Sequence, residues 1–279
     1  MSLILRNADN SIGRIRFYLN QPSVGPDPNA QAFITAAGIT DATEISAINQ
    51  LVIDLKAAGI WSSLNTIYPF IGGTSTTNSY NLKNPSSYQI TWYGGVTHNS
   101  NGVTFNGVNG YGETYYNESL IETFGDTHRA VYDRTATSDY GAQIGSQGAG
   151  AGYQRNILSN NYTGTYYLDC YDALDSYGRL IGATADSRAF WIMSRTSLAA
   201  GGFKAYKNLT NIATTAYINA GTQPDVNTWI GGLNYSNVLY IPTNHNLAFT
   251  SMGKGLTPTQ AADYYTAVQT FQTTLGRQV

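Results

Sequence analysis

Charged residues are scarce in this chain of 279 residues, because they make up only 11% of it against about 25% in an ordinary soluble domain. Neutral polar residues must therefore supply the solubility that Lys and Glu usually give. Fifteen Lys and Arg against seventeen Asp and Glu leave a net charge of −2. Without a basic excess there is no field to hold a phosphate backbone, so nucleic acid is excluded as a partner.

Cysteine pairs and long apolar runs are also missing. The single cysteine, Cys170, excludes an intramolecular disulfide framework and is interpreted as a small buried apolar residue. No run of about 18 apolar residues occurs, so membrane insertion is not expected. Arg6 and Asp9 interrupt the first apolar stretch, which is therefore not a secretory signal peptide. The composition is that of an extracellular protein, yet no export signal is visible. This combination suits a virion protein that is made in the host cytoplasm and released by lysis.

Two helices are predicted near the N-terminus. The first begins at the cap candidate Asp27 and ends at Gly38. The second begins at Asp41 and ends at Gly59, with one more helical turn expected before Pro69. Its apolar residues recur on one helical face, at positions Ile45, Ile48, Leu51, Val52 and Leu55.

A further helix is predicted at the C-terminus. Thr257, Pro258 and Gln260 form a capping box with proline at the first helical position, and Gly276 ends the helix. One face is apolar, with Ala261, Tyr264, Val268, Phe271 and Leu275. Such a face must dock on another element, and a sheet surface is the expected partner.

From about residue 70 the chain consists of short apolar or alternating runs separated by turn residues. The predicted strands are Tyr88–Trp92, Val103–Asn106, Arg129–Asp133, Gln143–Gly145, Gln154–Leu158, Thr165–Leu168, Arg179–Ala183, Arg188–Arg195, Phe203–Lys207, Ile212–Ile218, Thr228–Ile230 and Leu247–Met252. A spacing near ten residues is typical of a β-sandwich and not of alternating strands and helices.

The domain prediction divides the chain at residue 68. Residues 1–68 form an N-terminal attachment and helical region, and residues 69–279 form the sandwich with its closing helix. Within the first part, residues 1–26 contain a short strand with apolar residues on both faces, followed by a proline-rich linker. This segment is the predicted contact with other virion proteins.

Two acidic groups are the first candidates for chemistry. They are Glu113, Glu118 and Glu122, and then Asp169, Asp172 and Asp175. A glycosidase places two carboxylates across the scissile bond, and neither group has the alternating spacing that puts acids on one face of a strand. The second group also lacks the pattern of a calcium loop. We predict no catalytic residue, and the role of both groups stays open.

No cofactor or metal is predicted either. His98, His128 and His245 are isolated in the sequence, whereas zinc sites usually contain closely spaced ligands. The glycine-rich residues 141–152 lack the lysine of a phosphate-binding loop. A Gly-x-Ser-x-Gly turn is absent as well.

Tyrosine is the most distinctive feature that is present, with 22 residues. Sugar rings stack their C–H faces on aromatic planes, and five tyrosines in turn-rich stretches are predicted glycan contacts: Tyr111, Tyr140, Tyr153, Tyr177 and Tyr235. The alternative is that tyrosine simply suits strand surfaces and protein interfaces.

Several motifs carry a resemblance. GVTFNGVNGYGETYY (102–116) resembles the opening strand of laminin-G/concanavalin A-like domains, and residues 187–214, 229–236 and 247–277 resemble their later strands and closing helix. One departure is Leu209, which stands where those domains have glycine after an asparagine. With the helical lead at 33–74, the whole of 33–277 resembles proteins of tailed bacteriophages.

The resemblance implies a mainly β fold, an antiparallel concanavalin A-like jelly-roll sandwich. It implies a non-enzymatic virion structural protein on the particle surface, as a head decoration, fibre or tail component. Possible partners are host or mucosal glycans, and a homo-oligomer or many copies per particle is expected. The alternatives are a receptor-binding lectin at a fibre tip and a glycan-degrading enzyme, for which the carboxylate pair is missing.

Overall fold

The computed structural model describes residues 5–6, 12–13, 25–150, 154–171, 178–219 and 221–279. Its helices are α1 (Pro28–Ala37), α2 (Ala42–Ala57), α3 (Glu118–Ile121) and α4 (Pro258–Thr274), with 3₁₀ turns at Trp61–Ser63 and Thr77–Ser79. Among the described residues, no helix combines the length and apolar character that a bilayer crossing requires.

The strands follow one another closely along the chain. They are β1 (Leu5–Arg6), β2 (Ile12–Gly13), β3 (Leu64–Tyr68), β4 (Thr91–Tyr93), β5 (Val96–Asn99), β6 (Gly102–Phe105), β7 (Tyr111–Glu113), β8 (Thr127–Asp133), β9 (Ile144–Gln147), β10 (Arg155–Tyr162), β11 (Thr165–Cys170), β12 (Leu180–Ala183), β13 (Ala189–Arg195), β14 (Phe203–Lys207), β15 (Thr210–Thr214), β16 (Trp229–Ile230), β17 (Leu233–Tyr235), β18 (Val238–Tyr240) and β19 (Asn246–Gly253).

Two large sheets are built from these strands. The first sheet has the order β15-β14-β13-β8-β19-β6-β5, with β3 added on β19. The second has the order β12-β11-β10-β9-β16-β7-β4, with the β17–β18 hairpin attached to β9. The pairings are antiparallel except between β17 and β9. The prediction of a mainly β, antiparallel jelly-roll-type sandwich with a C-terminal helix is therefore confirmed.

The main core lies between the sheets. Alternation along β13 explains it, because Trp191 and Met193 point towards the second sheet and are 1% exposed. Leu158 and Leu168 meet them from β10 and β11. Burying one such side chain stabilises the fold by about 1.5–3 kcal/mol, so the two-residue period along the strands decides which face turns inward.

The helices form a third layer on the outer face of the first sheet. Phe190 and Ile192 alternate with the residues just named and pack against this layer, so β13 is apolar on both faces. Apolar residues of α1, α2 and α4 complete the cluster, including Phe33, Leu51 and Tyr264. Docking of the C-terminal helix on a sheet is thus confirmed.

The helix starts are those that the sequence predicts. Asp27 accepts from the backbone N–H of Asn29, and Asp41 accepts from those of Thr43 and Glu44. Thr257 and Gln260 form the reciprocal capping box at the start of α4. These caps satisfy N–H groups that have no partner inside a helix.

The sequence misassigned some elements. The helical turn expected before Pro69 is wrong, because Leu64–Tyr68 is strand β3 and pairs with β19. The strand expected at 212–218 begins at Thr210 and ends at Thr214. Strands β5, β7, β17 and β18 were not predicted. The division at residue 68 stays a prediction. Of the predicted N-terminal strand only Ile12–Gly13 is described, paired with Leu5–Arg6.

Candidate functional site

The candidate site lies on the outer face of the second sheet, opposite the helical layer. In β11, Leu168 and Cys170 point into the core, so Tyr167 and Asp169 between them point outward. In β10, Arg155 and Ile157 have the same outward parity, and Ile157 pairs with Asp169. The strand period thus places an aromatic ring, an acid and a base on one surface.

The hairpin β17–β18 stands over this surface. Its tip residues Ser236 and Asn237 both have positive φ, 51° and 68°, as the two central residues of a type I′ turn require. Asn234 holds the tip, since its side-chain oxygen accepts from the N–H of Asn237 at 2.7 Å. Leu233 packs with Ala142 and Ile157 at the hairpin's base. The hairpin therefore forms a wall beside strands β10 and β11.

A groove of about 220 Å³ runs between the hairpin and the strands. It is lined by Arg155, Tyr162, Tyr167, Arg179, Tyr240 and Ile241. Three of these six side chains are tyrosines and two are arginines. Such a wall presents apolar ring surface together with hydroxyl and guanidinium hydrogen-bond donors.

Asp169 organises the charges of the groove from below. Its side chain is 0% exposed, and its oxygens accept from Nε and Nη2 of Arg179 at 2.6 and 2.9 Å. Arg155 donates to the same carboxylate at 3.4 Å and to Gln147 Oε1 at 2.8 Å. Two cations thus share one buried anion. The planar two-point contact of Arg179 is the geometry that orients a guanidinium most firmly.

The tyrosines of the groove hold each other at right angles. Tyr162 meets Tyr167 edge to face, with ring centroids 5.9 Å apart, and Tyr140 meets Tyr162 at 5.4 Å. The guanidinium of Arg179 lies over the Tyr167 ring at 5.3 Å. Such contacts hold aromatic rings in defined orientations. The aromatic surface of the groove is therefore held in place by contacts within the protein.

A second aromatic group, which we call the aromatic ladder, lies near the other edge of the same sheet. Tyr93, Tyr111 and Trp229 stack in parallel, with centroid distances of 4.9 Å and 4.1 Å. Trp229 Nε1 donates to the carboxylate of Glu113. Burial raises the pKa of Tyr111, with Tyr93 and Glu113 adding to the shift. The hydroxyl therefore stays protonated at neutral pH and available as a donor.

The predicted glycan contacts fall in different places. Tyr140 and Tyr235 border the groove. The Tyr140 ring contacts the Tyr162 ring, and the ring centroids of Tyr235 and Tyr240 are 6.2 Å apart. Tyr111 belongs to the aromatic ladder. Tyr153 and Tyr177 lie outside the described residues. These five assignments stay predictions.

Sequence reasoning missed most of the groove itself. Tyr162, Tyr167, Tyr240, Arg155 and Arg179 were not singled out. The two-residue period of β10 and β11 could have placed Arg155, Tyr167 and Asp169 on one face. Nothing in the sequence indicated that the hairpin would stand beside them.

The described members of the two acidic groups lie in different parts of the fold. Glu118 and Glu122 are buried inside, where Glu118 binds Arg129 at 2.9 Å and Glu122 accepts from Tyr116. Glu113 and Asp169 share the outer face but are four strand steps apart, about 19 Å along the sheet at about 4.8 Å a step. Glycosidase carboxylates lie about 5–10 Å apart. Asp172 and Asp175 lie outside the described residues.

Two of the three histidines and the cysteine are buried. His128 and His245 are buried, and burial lowers the pKa of His128 to about 4. Burial likewise raises the pKa of the Cys170 thiol to about 12. In the described ranges, no three His, Cys, Asp or Glu side chains are placed to hold a metal ion.

No family model matches the chain, and no curated protein matches its sequence. Among solved structures, Trypanosoma rangeli sialidase is similar with a TM-score of 0.53 at 10% identity, over 79% of this chain and 39% of the enzyme. The CBM40 domain of Ruminococcus gnavus IT-sialidase has a TM-score of 0.36 at 12% identity, over 50% of this chain and 82% of the domain.

A third similar structure is NanB sialidase of Streptococcus pneumoniae, with a TM-score of 0.41 at 10% identity, over 57% of this chain and 26% of the enzyme. This chain spans about two fifths of the length of the trypanosomal sialidase, as the 39% coverage shows. At such identities the likeness shows the fold alone. The class that the fold defines is the antiparallel β-sandwich with one helix-covered sheet.

Proposed function

We propose that this chain is a non-enzymatic, glycan-binding β-sandwich protein of a bacteriophage particle. The observation that carries the glycan half is the groove beside the β17–β18 hairpin, where three tyrosines and two arginines converge. Sugars present C–H faces that stack on aromatic rings and hydroxyl groups that bond to charged side chains. Small-molecule sites likewise combine apolar walls with a few convergent polar groups.

The acids on the same face support binding over hydrolysis. Asp169 is fully covered by two arginines, and Glu113 is held by the indole of Trp229. A general acid needs a proton to give and a position beside the leaving oxygen. These two described carboxylates are four strand steps apart, about 19 Å at about 4.8 Å a step, against about 5–10 Å in a glycosidase. Incubation with bacterial capsule or β-glucan, followed by a reducing-end assay, is expected to release no sugar.

Glycan binding is tested with purified protein on a glycan array. Tyr167→Ala removes the central ring of the groove and is expected to abolish binding that the unchanged protein shows. Tyr217→Ala is the matched control, because Tyr217 is exposed and belongs to neither the groove nor the aromatic ladder. Binding that survives Tyr167→Ala would reject the groove, and an array without any signal would reject glycan binding.

The virion half of the proposal rests on the sequence. The motifs in 33–277 resemble those of tailed bacteriophage proteins, and 11% charged residues suits a protein working outside the cell. Residues 1–26 would then bind other virion proteins, with several copies on each particle. A strand with apolar residues on both faces can add to a neighbour's sheet.

Attachment is tested by deleting residues 1–26. The remaining chain keeps all three layers of the sandwich and is expected to fold, while its incorporation into particles is lost. Particles are purified and probed for the protein, with circular dichroism as the check on folding. Normal incorporation of the shortened chain would contradict the assignment of residues 1–26.

A further inference from the structure

Among the described residues that line the groove, the charged side chains are both arginines, beside three tyrosines and Ile241. The carboxylate of Asp169, which both arginines contact, is 0% exposed. A guanidinium has no acceptor, so its exposed edge can bond only to an acceptor on the ligand. The whole chain carries a net charge of −2, so this local positive charge is not part of a general basic surface.

Of the two arginines in the groove, Arg155 has the longer contact with Asp169. Asp169 makes its short contacts with Arg179, at 2.6 and 2.9 Å, and only a 3.4 Å contact with Arg155. The Arg155 side chain is also the more exposed of the two, at 25% against 17%. Its Nε is held by Gln147 at 2.8 Å. The guanidinium is therefore oriented by Gln147, and its contact with Asp169 is longer than that of Arg179.

Tyr167 places a ring surface beside this charge. It shares the outward face of β11 with Asp169, two residues away, and Asp169 pairs across to β10, the strand that carries Arg155. A ligand that stacks a ring on Tyr167 can therefore bring a substituent to Arg155. The ligand that satisfies both groups has a sugar ring and an anionic substituent.

We propose that the groove binds an acidic glycan, whose carboxylate or sulfate group bonds to Arg155 while its sugar ring stacks on Tyr167. This inference rests on the proposed glycan-binding function and narrows it to one chemical class. A charge-assisted bond from arginine to an oxyanion is about twice as strong as a neutral one. The anion therefore supplies the selectivity and the ring supplies contact area.

The test is a glycan array printed in matched pairs. Binding to uronic-acid oligosaccharides is compared with binding to their carboxyl-reduced forms, and binding to sulfated oligosaccharides with binding to their desulfated forms. The two comparisons distinguish a carboxylate ligand from a sulfate ligand. The unchanged protein is expected to bind the acidic member at least about tenfold more tightly, as one lost charge-assisted bond would cause. Raising NaCl is expected to weaken that binding, because the pair is partly exposed.

Variants locate the anion. Arg155→Gln is expected to lower affinity for the acidic glycan about tenfold and so to remove its preference over the neutral partner. Arg155→Lys keeps the charge and is expected to recover part of the loss. Arg188→Gln is the control. Arg188 is an exposed arginine outside the groove, and its guanidinium lies 2.7 Å from the carboxylate of Asp186. Thermal melting of each variant verifies its fold.

The outcomes separate the two proposals. Equal binding of acidic and neutral partners by the unchanged protein would overturn the acidic ligand while glycan binding stands, and this comparison needs no variant to fold. An acid preference that survives Arg155→Gln would overturn the role of Arg155. An array without any bound glycan would overturn glycan binding and the inference together.

Discussion

Removing the carboxylate of Glu118 should leave a buried arginine without its counter-ion. Glu118 and Arg129 lie between the two sheets, both with fully buried side chains, 2.9 Å apart. The same nitrogen of Arg129 also donates to Ser146 and Thr228, at 2.9 and 3.0 Å, but these hydroxyls carry no charge. Glu118→Gln therefore removes the only carboxylate that contacts Arg129 among the described residues, and leaves Glu122 as a neighbouring acid that does not contact it.

The size of the effect follows from this burial. Breaking a buried pair by removing one partner costs about 3–5 kcal/mol. At about 2–4 °C for each kcal/mol in a chain of this size, the midpoint of thermal unfolding should fall by roughly 10 °C. Arg129→Met should cost a similar amount, because the carboxylate of Glu118 then keeps only Asn156 and Ser146 as donors.

The double variant Glu118→Gln with Arg129→Met removes both charges together. It should be more stable than either single variant, since no unpaired buried charge remains. Urea unfolding followed by tryptophan fluorescence gives the four free energies of this cycle. Additive losses, or a loss below about 1 kcal/mol in Glu118→Gln, would show that the pair is not a coupled unit.

Three further changes test other parts of the structure. Burial and repulsion from Glu118 raise the pKa of Glu122 well above its ordinary value of 4.5. The protonated carboxyl therefore contributes its full stability below pH 4.5, and this stability is lost as the pH rises towards the raised pKa. Glu122→Gln should accordingly stabilise the protein at pH 8 and not at pH 4 in melting curves. Ser236→Gly should raise stability by about 1 kcal/mol in urea unfolding, because it relieves a positive φ of 51°. Thr257→Ala should lower stability by about 1 kcal/mol in the same assay, because it removes the cap of α4.

Local rules predicted the helix boundaries because their causes are local. The capping box at Thr257 and Gln260 is a contact between residues three apart, and the left-handed end of α1 needs only Gly38. The prediction of a helical turn at the segment that forms strand β3 was wrong for the opposite reason, because the cause is not local. Leu64, Ile67 and Tyr68 fit a helical face, but pairing with β19, almost two hundred residues later, makes the segment extended.

The groove was unpredictable for the same reason. Tyr167 and Asp169 lie on the same face of β11, so the two-residue period of this strand alone predicts that they are neighbours. The partner Arg179 comes from the segment before β12, and the wall residue Tyr240 comes from the far end of the β17–β18 hairpin. Only the tertiary fold brings these residues together.

The layering of the fold joins the two halves of the proposed function. The helical layer covers the first sheet, so the groove lies on the opposite side of the molecule. Asp27, just after the predicted attachment segment, is tied to α2 by Asn49 and Lys56, at 2.7 and 2.6 Å. The chain therefore enters the sandwich on the helical side. If residues 1–26 bind the particle there, the helices face the particle surface and the arginine–tyrosine groove faces outward, where a host glycan can reach it.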